Sequence, residues 1–165
     1  MTNKKNLEIP DSQPANNKIN LKGLTLAEVQ QIISMATEAK KFSYSPYSKF
    51  RVGAVVMTTD GEFYSGCNVE NAAYGETICA ERVAIPKAVS EGKKRFKAVG
   101  VNTDSEDCTT PCGSCRQFIR EFGRNVVIVC SNVHGQFKVY TMDELLPDSF
   151  GPEKLWCGNS FKYRC

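Results

Sequence analysis

Three cysteines in two separate segments place the tightest constraint on how this chain can fold. Cys79 stands in Thr77-Ile78-Cys79-Ala80-Glu81-Arg82, and the other two in Pro111-Cys112-Gly113-Ser114-Cys115. A Cys-x-x-Cys at a helix start puts two sulfurs on one side of a single turn. A zinc ion that also takes the third thiolate must draw both segments together. Helix N-termini carry partial positive charge and favour thiolate over thiol, so two helix starts facing each other suit such a site. Three protein ligands leave one position open, where water is activated near neutral pH; a fourth closes the site and makes it structural. Cys108, four residues before Cys112, has the spacing to be that fourth ligand.

Glu81 follows Cys79 by two residues, too near to be an obvious co-ligand on the same helix. Its better role is a proton shuttle beside activated water. Three thiolates around one divalent cation leave a net negative charge, which weakens a Lewis acid unless the sulfurs receive hydrogen bonds. Arg82 and Arg116 each adjoin a candidate site residue, and either can donate to sulfur.

The chain has eight cysteines, a polar N-terminus without an apolar signal core, and no apolar run near the roughly 18 residues of a membrane span. These features predict an intracellular, cytoplasmic protein with no membrane partner, whose thiols are ligands, catalytic groups or buried residues rather than disulfides. With 21 basic and 18 acidic residues the net charge is +3. It lacks the basic stripe of a nucleic-acid domain, so no nucleic-acid partner is expected.

Residues 1–22 are polar and read as a disordered arm, 23–155 as one domain and 156–165 as a tail. Thr25-Leu26-Ala27-Glu28 is a capping box opening a helix over 26–41. Strands follow over 51–57 and 62–67, joined at Thr58-Thr59-Asp60-Gly61. Thr77 is placed to cap a helix to about residue 91, in which Pro86 introduces a kink. A strand over 96–101, a helix over 112–122 with Pro111 at or before its first turn, and strands over 126–130 and 137–140 complete the middle. Thr141-Met142-Asp143-Glu144 is a second capping box. His134, the lone histidine, falls in the last hairpin turn and reads as exposed. The order α-β-β-α-β-α-β-β-α predicts an α/β fold in which one mixed sheet is covered on both faces.

Five blocks in order carry a family resemblance: Ser45–Ala54 (SPYSKFRVGA), Gly66–Gly75 (GCNVENAAYG), Thr77–Arg82 (TICAER), Pro111–Gln117 (PCGSCRQ) and Leu145–Pro152 (LLPDSFGP). Cys-x-Glu followed by Pro-Cys-x-x-Cys is the pattern of zinc nucleobase deaminases. Together the blocks resemble the homotetrameric, zinc-dependent cytidine deaminases that act on free nucleosides. The resemblance implies a three-layer α-β-α sandwich with a mixed five-stranded sheet, and hydrolytic deamination of cytidine and 2′-deoxycytidine in pyrimidine salvage. It implies Zn²⁺ on Cys79, Cys112 and Cys115, Glu81 as proton shuttle and Arg82 as sulfur partner. It places Asn68 and Glu70 on the ribose hydroxyls. Val69, Asn71, Ala72, Ala73 and Tyr74 would line the nucleoside pocket with them. Phe50 would pack on the nucleoside, and Phe150 would reach the pyrimidine from a neighbouring subunit of a homotetramer. Three alternatives stay open: a deaminase of another aminated heterocycle, a polynucleotide-editing deaminase, and a structural Cys₄ module closed by Cys108.

Overall fold

The computed structural model describes residues 20–155; most of the expected N-terminal arm and the whole expected tail lie outside them. The first helix, α1 (Leu26–Lys40), starts where the capping box predicts. The Thr25 hydroxyl accepts from the Glu28 amide at 3.2 Å, and the Glu28 carboxylate accepts from the Thr25 amide at 2.8 Å. β1 (Val52–Thr58) and β2 (Phe63–Cys67) form the hairpin, and α2 (Ala80–Ser90) leads to β3 (Phe96–Thr103). α3 (Gly113–Arg120) crosses to β4 (Val127–Ser131), which pairs with β5 (Phe137–Thr141) before the short α4 (Met142–Leu145).

The sheet order is β2-β1-β3-β4-β5. Only β3 and β4 run parallel, as the α3 crossover between them requires; the other three pairings are antiparallel. Alternation along β1 divides the core. Val55 and Met57 meet Val29, Ile32 and Ala36 of α1, while Ala54 and Val56 pack with Ala84, Ile85 and Ala88 of α2 and Ile119 of α3. The three layers are therefore α1, the sheet, and α2 with α3. Among the described residues no helix is long and apolar enough to cross a membrane.

Gly66 sets how closely α2 approaches. A Cβ there would lie 2.6 Å from the Ala84 nitrogen and 2.7 Å from the Ala80 oxygen, so helix backbone rests on strand backbone. This contact fixes the height at which the start of α2 stands over the sheet.

Two element starts differ from the sequence expectation. Cys79, not Thr77, is the N-cap residue of α2. A backbone bridge between Val69 and Ile78, at 2.9 and 3.0 Å, keeps the chain extended up to Cys79. Thr77 instead accepts from the Asn71 amide at 3.3 Å. Likewise Cys112 is the N-cap residue of α3, which puts Pro111 just ahead of the cap. Pro86 lies inside α2 on its exposed side, and the helix continues past it to Ser90.

Gly66→Ala is expected to destabilise the protein by about 1–3 kcal/mol, the usual cost of overpacking. Gly75→Ala, whose methyl meets nothing within 4 Å, should stay within about 0.5 kcal/mol of the parent. Denaturant unfolding of the two variants checks this.

Candidate metal centre and active site

Cys79 at the start of α2 and Cys112 and Cys115 at the start of α3 bring their sulfurs within 4.8 Å of one another. The Cys79 and Cys112 sulfurs are 3.8 Å apart. Thiolates on a tetrahedral zinc at about 2.3 Å sit about 3.8 Å from each other, so the trio fits the ion. Neither N-cap cysteine spends its side chain on capping its helix. The sulfurs therefore stand at the positive ends of two helices.

The local charges agree. Hydrogen bonding from Cys115 holds the Cys79 thiol down at about 5, with Arg82 and Cys112 adding to the effect against the cost of burial. Cys115, the donor in that pair and itself buried, is pushed far up. Cys79 is thus favoured in its thiolate form, the form that a dication binds. Arg82 Nη2 donates to the Cys79 sulfur at 3.4 Å, and this bond raises its own pKa. Its Nε is buried without a partner. Arg116, the other candidate donor, is committed elsewhere. It donates to the Pro111 carbonyl at 2.8 Å, the Leu145 carbonyl at 2.9 Å and the Thr110 hydroxyl at 2.6 Å. It braces the strand of chain entering α3 and touches no sulfur in these contacts.

Glu81 is 3% exposed, in the first turn of α2. Burial is the main reason its carboxyl sits above the usual range; the Cys79 charge adds to this, and a backbone amide and the Cys115 thiol oppose it. A buried carboxyl of raised pKa beside a metal-binding trio has the properties of a general acid–base. Cys108 is not gathered with the trio; its thiol donates to the Gln136 carbonyl at 3.3 Å and packs against the core. The closed four-thiol arrangement is therefore absent among the described residues, and three sulfurs leave a coordination position open.

Asn68 and Glu70 organise the loop ahead of β1. Asn68 is 7% exposed. Its Oδ1 accepts from the Ser43 hydroxyl at 2.5 Å and the Val52 amide at 2.8 Å, and its Nδ2 donates to the Phe50 carbonyl at 2.9 Å. Glu70 accepts from the Tyr47 and Ser48 amides at 2.9 and 3.2 Å and from the Ser48 hydroxyl. The hydroxyl is the leading cause of its lowered pKa. Both side chains thus hold the turn that presents Phe50, with one Nδ2 hydrogen of Asn68 uncommitted. The Val69–Ile78 bridge sets this stretch beside the residue preceding Cys79. Residues 71–76 are exposed, with the Asn71 Oδ1 accepting from the Ala73 amide at 2.9 Å. Phe50, Val69, Tyr74 and Phe150 all show large exposed surfaces. Ser43 lies outside the blocks quoted from the sequence, and the roles of Ser48 and Ile78 within them emerge only from the loop crossings.

A buried carboxylate beside three convergent thiols at helix starts defines the class of zinc-dependent hydrolases that activate water for attack on a nucleobase. The comparisons are more specific. Residues 26–131 match the family described as the cytidine and deoxycytidylate deaminase zinc-binding region. The chain is 44% identical over 129 residues to a cytidine deaminase of Sporosarcina psychrophila, covering 78% of this chain and 95% of that protein. It is 46% identical over 129 residues to a probable cytidine deaminase of Dictyostelium discoideum, covering 78% of this chain and 87% of that one. The crystal structure of a cytidine deaminase from Burkholderia pseudomallei superposes with a TM-score of 0.72 at 39% identity, over 77% of this chain and 100% of that chain. The chain belongs to the cytidine deaminase family and is a zinc-dependent hydrolytic deaminase.

Cys108→Ser is expected to keep about one zinc per chain, while Cys79→Ser, Cys112→Ser or Cys115→Ser loses most of it. Metal analysis after dialysis against a weak chelator measures both.

Proposed function

We propose that this protein hydrolyses cytidine and 2′-deoxycytidine to the corresponding uridines with release of ammonia, in cytoplasmic pyrimidine salvage, as a homotetramer. The observation that carries this is Glu81, buried and of raised pKa, two residues beyond a thiol of the zinc trio. When bound, zinc supplies Lewis acidity and eases deprotonation of water.

Glu81 takes the proton of the attacking water and delivers it to ring N3, which makes C4 more electrophilic. The water oxygen forms its bond to C4, giving a tetrahedral carbon. Glu81 then passes the water's second proton to the exocyclic nitrogen, the C4–N bond breaks and ammonia leaves. One carboxyl serves as base and acid in turn, for which a raised pKa is suited. Arg82 steadies the charge on the Cys79 sulfur throughout. The free Nδ2 hydrogen of Asn68 and the remaining acceptor positions of Glu70 suit a pair of ribose hydroxyls. Phe50 packs on the nucleoside, the stretch from Val69 through Asn71, Ala72 and Ala73 to Tyr74 lines the pocket, and Phe150 closes the pyrimidine site of a neighbouring subunit. The exposure of Phe42, Tyr44, Tyr47, Tyr74 and Phe150 supports burial of these rings between subunits.

The test follows cytidine deamination by ultraviolet absorbance. Glu81→Gln should keep its zinc and lose at least about a hundredfold in kcat. Mixing Glu81→Gln subunits with Phe150→Ala subunits and allowing exchange should regain activity, because some sites then pair an intact Glu81 with an intact Phe150. Turnover of Glu81→Gln near the parent rate would refute the catalytic assignment, and no regain on mixing would refute the shared site.

A further inference from the structure

The largest fully buried side chain among the described residues is an arginine, Arg120, at 1% exposure. It is the last residue of α3, five after the zinc ligand Cys115. Its Nε donates to the Ser149 hydroxyl at 2.7 Å, and its Nη2 pairs with Glu153. Between these, a Cβ on Gly151 would lie 2.5 Å from the guanidinium carbon and from both terminal nitrogens. The equal distances mean that the plane lies flat against the glycine backbone, which only a residue without a side chain permits. One turn earlier on the same helix, Gln117 Nε2 donates to the Phe150 carbonyl at 3.0 Å.

The partners alternate along the chain. Ser149 and Gly151 are buried against the arginine; Phe150, between them, is 58% exposed. Gly151 is extended, at φ −152 and ψ 175, and with 149 and 151 held inward the ring of 150 stands on the outer side. A charge taken out of water is costly unless it is paired and hydrogen-bonded, and here both side-chain partners, Ser149 and Glu153, come from one short segment.

We propose that Arg120 is a positioning residue for the deamination reaction: it clasps residues 149–153 so that Phe150 is presented to the nucleoside of the adjoining subunit. This rests on the assignment of Phe150 given above. Through α3, two of the three thiols of one site, Cys112 and Cys115, are linked to the segment whose ring completes another. The clasp therefore governs substrate affinity more than proton transfer.

Arg120→Met would empty the clasp entirely, whereas trimming one arm leaves the buried charge its other partner, so the arms are trimmed singly and together and the arginine is left in place. Ser149→Ala and Glu153→Ala, singly and as a pair, Phe150→Ala, and all three together are compared as zinc-loaded full chains. Steady-state kinetics on cytidine, zinc content and thermal unfolding are measured for each. Loosening the clasp is expected to raise KM about three- to tenfold, with kcat within about twofold, the split of a uniform binding interaction. In the Phe150→Ala background the same change should raise KM by less than about 1.5-fold, because coupled sites are non-additive. An unchanged KM on loosening the clasp, with Phe150→Ala raising it, would overturn the role of Arg120 alone. An equal rise in both backgrounds would also overturn it. An unchanged KM in Phe150→Ala would overturn the assignment of Phe150, and the clasp's role with it.

Discussion

The structure depends on two helix starts being held face to face. α2 follows an antiparallel hairpin and α3 lies in the crossover between the parallel strands β3 and β4, so nothing local brings Cys79 to Cys112. The sheet does this, with the backbone-to-backbone seat of α2 on Gly66 and the arginine brace that Arg116 puts on the Pro111 stretch. Because neither thiol-bearing cap hydrogen-bonds its own helix end, the convergence gathers helix-end potential as well as sulfur.

That potential explains how the site can hold so much negative charge. Three thiolates around a dication need stabilising partners, and Arg82 supplies one at the Cys79 sulfur. Glu81 lies on the same helical turn but in the interior, where burial favours its protonated form. Neighbouring residues in the chain are thus given different settings by their surroundings: one donates to sulfur, the other is the buried carboxyl proposed to carry protons. The second side of the pocket is held just as firmly. Asn68 and Glu70 spend most of their hydrogen-bonding capacity on the loop bearing Phe50, so the groups proposed to meet the ribose are preorganised before a ligand arrives.

Much of this was legible in the sequence where the determinants are local. The capping boxes at Thr25 and Thr141, the hairpin turn at Gly61 and the Cys-x-x-Cys each rest on residues within a few positions. A mixed sheet covered on both faces followed from the order of the elements, and the three-layer, five-stranded architecture from the family resemblance. The residues that failed to announce themselves act across the fold. Thr77 looks like a cap until Val69, nine residues distant, bridges Ile78 and moves the helix start to Cys79. Arg82 and Arg116 look equivalent beside their cysteines, yet only the fold directs one to sulfur and the other to carbonyls. Cys108 has the spacing of a ligand but is drawn to the Gln136 carbonyl as the chain packs on the core. Arg120 and Gly151 are ordinary letters until the 149–153 segment closes over α3.

The central claim is that the metal is held by three sulfurs and keeps one position for a light atom. X-ray absorption at the zinc edge of the substrate-free protein tests it most directly. The account predicts three sulfurs at about 2.3 Å and one oxygen or nitrogen at about 2.0–2.2 Å. A shell of four sulfurs would contradict it.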